Sequence, residues 1–581
     1  MTFAHRSTAI ALILVALPCA AAGPGPVGHD NGQHHACTGF LASQPAVICV
    51  RAGAAAGGSG SAAAPLATIS AAIAGAKAGD IVQVAAGTYP ENVALGGFGA
   101  PSGTHLTLLG GFSADFSARD ADQHASRIDG GLTNPAVQLH LDSNQTTVLD
   151  GFILTRGRGL GSSWADGSGH GGGVHAALDG NGAIVISHNL IHGNFSNQHA
   201  SADSRGGGIH AHTQDWGGAT GTIRIDHNTV RDNQAGKGAG IHVSGRHAEL
   251  RHNLVENNTG HHDHGGGIYV AANALLADSI VRGNAIGATQ GYGWGGGVLV
   301  AGTDAELRGN LITGNYAPTA GSGVFWDEGA TGTMRNDLLH HNLCPNGSRS
   351  AAAIYIDGGP GGPSQVNIES ITVADHLCPG TVPDGAAVVV EDGSQVTVRN
   401  AIFRGNSRDF ATLSGGSFAI VWSITQEPGT GNFQADPLFA DAGGGDYRLR
   451  SAAGRFTPAG WVMDAVTSPA IDAGDPASDH ALETQPNGGR INLGAHGNTV
   501  WASRSPGSDR LFGDGFESQA TLESTAPQGG TRAADSAVVA LMAETPAAIP
   551  PYPGISRPGV LSAGSSSIAI TTASSRPLCA G

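Results

Sequence analysis

Basic and ring side chains recur at fixed places around a repeated phrase of this sequence. Three small residues, usually glycine, are followed by a β-branched residue and then by a ring or aliphatic residue, as in residues 206–210 (Gly-Gly-Gly-Ile-His). A basic or ring residue such as Arg205 or Lys237 precedes the glycines. Rings offer stacking faces to sugars, and Arg or Lys suits carboxylates, so the pattern predicts a groove for an acidic polysaccharide. The residues assigned to substrate binding are His170, His175, His210, His242, Tyr269, Tyr292 and Trp294.

Two classes of function are compatible with this surface. In an enzyme of the polysaccharide lyase kind, Arg205 or Lys237 would serve as the base. The paired carboxylates that glycoside hydrolysis needs are not found near the Gly-His-Gly run at residues 169–171. A second interpretation is that the rings stack as a solvated ladder with no catalytic role. Because catalytic motifs are missing, the sequence favours a non-catalytic carbohydrate-binding or adhesion scaffold, with a lyase or glycoside hydrolase as the alternative.

Two further clusters carry ligands for metal ions. Three imidazoles and a carboxylate in one loop could hold a transition metal, although consecutive side chains rarely all face one ion. These residues are His261, His262, Asp263 and His264. A run of carboxylates near the C-terminal end could bind Ca²⁺, or could serve only the chemistry of turns. This run comprises Asp436, Asp441, Asp446, Asp472 and Asp475.

The repeat itself predicts the elements that position these residues. The β-branched residue recurs at intervals from 26 residues (Val298 to Val324) to 35 residues (Val174 to Ile209), and a period in this range is typical of solenoids. Each repeat contains about three short strands and no helix, which favours a single-stranded right-handed parallel β-helix. In such a coil Ile209 points inward and His210 points outward. Helical spacing at residues 66–73, ending near Gly75, predicts a helix that caps the first coil.

Asparagine and cysteine positions give the register of the coils. Asn ends the second strand of six repeats, and stacked amides can bond one another along such a stack. These positions are Asn194, Asn233, Asn258, Asn284, Asn315 and Asn342, with His376 and then Asn406 in the same place further on. Cys344 and Cys378 each lie two residues beyond that place on adjacent coils, at a spacing that a disulfide tolerates. We therefore predict the bond Cys344–Cys378, while Cys37 and Cys49 could form a second pair.

Composition and charge narrow the class of protein. The 581 residues include 92 glycines, only 13% are charged, and the net charge is −17, which argues against nucleic acid as a partner. Residues 1–22 have the features of a signal peptide, with lipidation of Cys19 as an alternative, and no other stretch approaches the length of a membrane helix. We expect an exported, monomeric protein. Its predicted divisions are 1–22 signal peptide, 23–36 disordered, 37–130 cap and first coils, 131–425 β-helix repeats, 426–505 C-terminal coils and cap, and 506–581 disordered tail.

The glycine phrase alternates with a hydrophobic-x-x-Asn phrase, of which residues 403–406 (Phe-Arg-Gly-Asn) are the closest copy. This alternation resembles that of right-handed parallel β-helix repeat proteins of the pectate-lyase-like superfamily. Downstream, residues 436–439 (Asp-Pro-Leu-Phe), 468–475 (Ser-Pro-Ala-Ile-Asp-Ala-Gly-Asp) and 487–495 resemble the C-terminal segment of secreted bacterial β-helix proteins called choice-of-anchor Q. The resemblance covers about residues 37–500. It implies an extracellular or surface protein that handles polysaccharides, and it carries over no active site.

Overall fold

The computed structural model describes residues 45–96, 105–161, 169–196, 204–213, 220–287, 293–343, 351–377 and 386–506. In this part the chain forms a right-handed parallel β-helix, as predicted. Each coil contributes one strand to each of three parallel ladders, here named sheets A, B and C. Sheets A and B share one 22-stranded sheet, because two long strands, Ile241–Arg251 and Ile268–Ala277, take part in both.

Within a coil the chain passes through sheet B, sheet A and sheet C in that order. The other strands of sheet A are Val47–Val50, Ile81–Ala85, Thr107–Phe112, Thr146–Asp150, Ala183–Ser187, Thr222–Asp226, Ala305–Arg308, Thr331–Arg335, Gln365–Glu369, Gln395–Arg399 and Ser417–Val421. The other strands of sheet B are Val93–Leu95, Val137–Leu141, Val174–Leu178, Ile209–Thr213, Val298–Val300, Val324–Trp326, Ala351–Ile356, Ala386–Val390 and Phe410–Thr412. The strands of sheet C are Gly87–Tyr89, Ser126–Asp129, Phe152–Thr155, Leu190–His192, Thr229–Arg231, Leu254–Glu256, Ile280–Arg282, Leu311–Thr313, Leu338–His340, Thr372–Ala374 and Ile402–Arg404.

A return segment leads from sheet C of one coil to sheet B of the next. Its short strands are Leu160–Gly161, Gly169–His170, Gln234–Lys237, Thr259–His264 and Ala285–Ile286. The glycine phrase forms the corner at its end: Gly206 has a φ of +61°, a conformation that disfavours side chains, and a Cβ on Gly208 would lie 2.6 Å from the carbonyl oxygen of Gly240. The phrase thus combines a left-handed turn with a close approach of neighbouring coils.

One apolar core runs through the coils, because alternate strand residues point inward. Val174, Ala176 and Leu178 of sheet B are buried, as are Ile184 and Ile186 of sheet A. The same pattern repeats on coil after coil, so each coil covers the apolar surface of its neighbour.

Buried amides stack along two corners of the helix, as the sequence predicts for one of them. Asn194 Nδ2 donates to Asn233 Oδ1 at 3.0 Å, Asn233 Nδ2 donates to Asn258 Oδ1 at 3.0 Å, and the ladder continues to Asn342. A second ladder joins sheets A and C, where Asn310 Nδ2 donates to Asp337 Oδ1 at 2.8 Å. These bonds satisfy amides that would otherwise be buried without partners.

Other elements pack against the coils, a helix at the first coils and a C-terminal segment on the outer side of sheet C. The predicted helix begins three residues later than expected, at Ile69–Gly75, because the side chain of Thr68 caps it by accepting from Ala71 N. It packs against the strands Val47–Val50 and Val93–Leu95. Residues 426–505, predicted to contain further coils, instead contain two antiparallel hairpins. Their strands are Phe439–Asp441 with Asp446–Leu449, and Arg455–Thr457 with Gly460–Val462.

The predicted disulfides involve residues beyond the described part of the chain. Cys37, Cys344 and Cys378 lie outside it, and Cys49 is buried in the first strand of sheet A. The register on which the Cys344–Cys378 prediction depends is present, since Asn342 Nδ2 lies 3.3 Å from His376 Nε2 on the next coil. That bond therefore stays a prediction.

Candidate functional site

The predicted ring residues form a column on sheet B that faces away from the core. His175, His210, His242 and Tyr269 are register partners on four successive coils. Ring centroids lie 5.2 Å apart for His175 and His210, 5.2 Å for His210 and His242, and 4.7 Å for His242 and Tyr269. The column continues with Leu299, Phe325 and Tyr355.

The predicted basic residues form a second column on the return segment, which we name the return column. It contains His170, Arg205, Lys237, His264 and Trp294, paired from coil to coil. The glycine corner brings the two columns together. The rings of His170 and His210 lie 4.9 Å apart, and those of Trp294 and Phe325 lie 6.4 Å apart.

Burial corrects the expectation of a solvated ring surface. His210 is 5% exposed and His242 is 2% exposed, because the return segment lies against this part of sheet B. Burial holds the pKa of both imidazoles well below the usual value, so both are neutral. His210 and His242 therefore have no ring face available to a sugar, and their stacking serves the fold.

The other predicted substrate-binding residues keep partly exposed side chains. His170, His175, Tyr269 and Trp294 are half-buried, as are both predicted bases, Arg205 and Lys237. Tyr292 lies outside the described residues. Roles in binding or catalysis for these side chains stay predictions.

The predicted metal ligands are distributed over different partners. His261 Nε2 lies 2.8 Å from Gln234 Oε1, while His264 Nε2 lies 4.0 Å from Asp327 Oδ2. His262 is half-buried, and the side chain of Asp263 lies outside the described part. A shared ion at residues 261–264 stays a prediction.

The C-terminal carboxylates likewise have separate partners. Asp436 and Asp475 accept from backbone N–H groups two residues further on, and Asp441 caps a turn through Gly444 N. Asp446 pairs with Arg448 at 2.7 Å. Ser505 Oγ donates to Asp472. In the described range 386–506 no three of these carboxylates gather around one point, and their partners include turn N–H groups, arginines and a serine hydroxyl.

A row of carboxylates that the sequence analysis missed lies beside the two columns. Asp327, Asp357 and Glu391 directly follow three successive strands of sheet B, Val324–Trp326, Ala351–Ile356 and Ala386–Val390. Their backbones are in register, since Asp357 N donates to Trp326 O and Glu391 N donates to Ile356 O, both at 2.9 Å. We name these three residues the carboxylate row. The backbones of its members follow one another at the coil spacing of about 4.8 Å.

The electrostatics of the row favour one protonated carboxyl group. Burial, together with Glu391, Asp327 and the neighbouring Asp392, raises the pKa of Asp357 to about 7. Burial also raises the pKa of Asp327, while the charges of His264 and Lys237 oppose this shift. Repulsion between close carboxylates is a general cause of such shifts.

Hydrogen bonds orient the third member of the row. Glu391 is 2% exposed and accepts from the hydroxyl of Tyr355 in the ring column. Ser414 Oγ donates to Glu391 Oε1 at 3.3 Å. Glu391 is therefore less accessible to solvent than Asp327 and Asp357, which are half-buried.

This arrangement can carry out acid–base chemistry. A carboxyl group with a pKa near 7 is suited to give a proton at neutral pH, and a second carboxylate one coil away can stabilise positive charge. A pair of this kind, with environments that differ, is typical of general acid and carboxylate partners. The row could have been found by aligning the repeats, because each member stands two residues after the ring-column position.

Two family models match parts of the chain. One is described as "Disaggregatase related" and matches residues 388–474, and the other is described as "Protein of unknown function (DUF1565)" and matches residues 52–96. No curated protein matches the chain.

Several solved structures are similar in fold. The pectate lyase Pel9A is 11% identical, with 78% of this chain and 96% of that chain covered and a TM-score of 0.40. XylC in complex with xylose is 10% identical, with 68% and 87% covered and a TM-score of 0.40. The A-module of the mannuronan C-5 epimerase AlgE4 from Azotobacter vinelandii is 13% identical, with 62% and 91% covered and a TM-score of 0.21. None of these likenesses transfers the role of a residue to this chain.

Proposed function

We propose that the chain is an exported, secreted or surface-exposed protein that binds a polysaccharide beside the carboxylate row and hydrolyses its glycosidic bonds there. Asp357 gives the proton to the leaving oxygen. Asp327, one coil away, is the carboxylate that stabilises or attacks the sugar ring. The half-buried rings of Tyr269 and Trp294 supply stacking faces beside the row.

The raised pKa of Asp357 beside other carboxylates is the observation that carries this proposal. The backbone spacing of one coil, about 4.8 Å, allows the carboxyl groups of Asp327 and Asp357 to reach the separation of about 5 Å that retaining glycosidases use. Inverting enzymes need a wider gap for a water molecule. We therefore expect retention of configuration at the anomeric carbon.

The test measures release of reducing sugar from neutral and acidic polysaccharides by the full chain and by Asp357→Asn. Loss of the general acid should lower kcat by about 100-fold or more, and the alkaline limb of the pH profile, where Asp357 loses its proton, should change. Asp392→Asn is the matched control, because Asp392 belongs to the same group of carboxylates but is exposed. Equal activity in wild type and Asp357→Asn would refute the assignment.

A non-catalytic scaffold is the second candidate, and the burial of His210, His242 and Glu391 favours it. In that case the chain binds a glycan on an array but releases no product from it. A polysaccharide lyase that uses Arg205 or Lys237 as its base is distinguished by the absorbance of unsaturated products, and its activity would be lost in the variant with both residues changed.

Export and anchoring belong to the same proposal. The apolar segment within residues 1–22 would direct export. The C-terminal segment that resembles choice-of-anchor Q proteins would keep the chain at a surface. A role of Ca²⁺ as cofactor is tested by running the activity screen with and without it. No helix in the described ranges has the length and apolar character that crossing a membrane requires.

A further inference from the structure

Three histidines stack at the corner between sheets A and C, away from the glycine corner. His188, His227 and His252 hold the same place on successive coils, and each has a left-handed backbone with φ of 52°, 53° and 52°. The ring centroids of His188 and His227 lie 5.1 Å apart, and those of His227 and His252 lie 4.4 Å apart. Stacking of the coils therefore gathers imidazoles that are far apart in sequence.

Asp226, the last residue of the strand Thr222–Asp226, lies between two of these rings. Its Oδ1 is 3.0 Å from His252 Nδ1, and its Oδ2 is 2.9 Å from His227 Nδ1. The second contact is short but is not aligned as a hydrogen bond, and His227 Nδ1 has no hydrogen-bond partner within the described ranges. One nitrogen or oxygen from each of the three side chains lies within 4.8 Å of the others.

This donor set suits a divalent transition metal. Two imidazole nitrogens and one carboxylate oxygen are ligands that Zn²⁺ binds at about 2.0–2.2 Å, which places neighbouring ligands of a tetrahedral site about 3.3 Å apart. The observed separations of 2.9 Å from His227 Nδ1 to Asp226 Oδ2 and of 3.0 Å from His252 Nδ1 to Asp226 Oδ1 are near that value. Imidazole and carboxylate together also suit Co²⁺, Ni²⁺ and Cu²⁺.

The surroundings allow an ion to enter from solvent and leave one of its coordination positions open to water. The side chains of Asp226, His227 and His252 are 35%, 32% and 20% exposed, so solvent reaches them. Asp278 Oδ2 on the next coil lies 4.0 Å from His252 Nε2, the nitrogen that does not face Asp226. A carboxylate on that side would orient the imidazole if the two approached to hydrogen-bond distance.

We propose that Asp226, His227 and His252 form a binding site for one divalent transition-metal ion, with water in the fourth position. The ion would join two adjacent coils at a corner that does not include the return column or the carboxylate row. The site is therefore independent of the proposed hydrolase function.

The test titrates Co²⁺ and Zn²⁺ separately into the full chain, prepared without a histidine tag and dialysed against a chelator. Tetrahedral Co²⁺ is followed by its visible absorption, Zn²⁺ by calorimetry, and the unfolding temperature is recorded with and without each ion. We expect one equivalent to bind and to raise the unfolding temperature, because a ligand that binds the folded state stabilises it.

Two variants decide which residues hold the ion. His227→Asn with His252→Asn removes both nitrogens while keeping the backbone, since Asn336 and Asn400 adopt the same left-handed conformation at this corner, with φ of 56° and 57°. We expect this double variant to bind at least about 100-fold more weakly, because even loss of an outer partner costs about 10- to 100-fold.

His188→Asn is the matched control, since its ring occupies the same corner but its Nδ1 lies 2.8 Å from Asp150 Oδ2. Binding by wild type and control, with loss only in the double variant, supports the site. No binding by wild type at ion concentrations up to about 1 mM, the weak end of the range for protein Ca²⁺ sites, overturns it. Binding that survives in the double variant, or is lost in the control, overturns the three-residue assignment.

Discussion

Replacing Asp337 by Asn should stabilise the protein, and the gain should grow with pH. Asp337 is 0% exposed and holds a place in the second amide ladder that Asn310 holds on the preceding coil. Its Oδ1 accepts from the amide of Asn310, but its Oδ2 has no hydrogen-bond partner in the described part of the chain. The amide nitrogen of Asn310 donates to Leu276 O, and an Asn at position 337 would be able to donate to Leu307 O in the same way, because Leu276 and Leu307 are register partners.

The size of the effect follows from the carboxyl group. Burial raises the pKa of Asp337 from 3.8 to about 7, and one pKa unit corresponds to about 1.4 kcal/mol. The pKa of Asp337 is higher in the folded state than in the unfolded state. The wild type therefore has its full stability below pH 4, where Asp337 is protonated in both states, and it loses stability as pH rises towards 7. The full shift corresponds to a loss of about 4 kcal/mol in the free energy of unfolding, and relaxation around the ionised group reduces this loss. We therefore expect Asp337→Asn to be more stable than the wild type by about 2 to 4 kcal/mol at pH 8.

The assay compares urea midpoints of wild type and Asp337→Asn at pH 4, 6 and 8. Other titrating groups are common to both proteins, so the difference isolates Asp337. Asn315→Asp is the control, since it places a carboxyl group in the first ladder and should lose stability as pH rises. A gain that is equal at pH 4 and pH 8, or no gain at pH 8, would refute the reasoning.

Two further predictions concern the rings and the glycines. Burial lowers the pKa of His242, so the wild type should lose stability as pH falls below about 6.5. His242→Phe keeps a ring in the stack and should reduce the loss between pH 7 and pH 5 by about 2 kcal/mol, measured by urea unfolding; an unchanged loss would contradict a buried neutral imidazole. Gly240→Ala places a Cβ 2.7 Å from Gly267 O and should cost about 1 to 3 kcal/mol. Gly75→Ala, with nothing within 4 Å of its Cβ, is the control in thermal unfolding, and equal midpoints would contradict the close approach.

Much of the fold could be predicted because one register repeats on every coil. The inward and outward alternation, the His175–Tyr269 column and the amide ladder from Asn194 to Asn342 all follow from aligned positions. The start of the helix at Ile69 differs from the prediction because hydrophobic spacing does not show where Thr68 caps the first turn. The C-terminal hairpins differ because their segments no longer carry the repeat that specified parallel pairing.

The candidate sites were harder to predict because they depend on which neighbours surround each column. Burial of His210 and His242 depends on how closely the return segment packs against sheet B. Strand periodicity predicts which residues face outward, but it does not predict this packing. The carboxylate row was missed because Asp357 and Glu391 follow degenerate copies of the phrase. The cluster at Asp226 was missed because its residues come from two coils, which the repeat brings together.

The amide ladder shows that the distance between neighbouring coils does not depend on the number of residues in a coil. Asn194 and Asn233 are 39 residues apart, whereas Asn233 and Asn258 are 25 residues apart, yet both amide contacts measure 3.0 Å. The step between amides is therefore the same for a coil of 39 residues and for one of 25 residues. Coils of this helix can therefore differ by 14 residues in length while the hydrogen bonds between neighbouring coils stay the same.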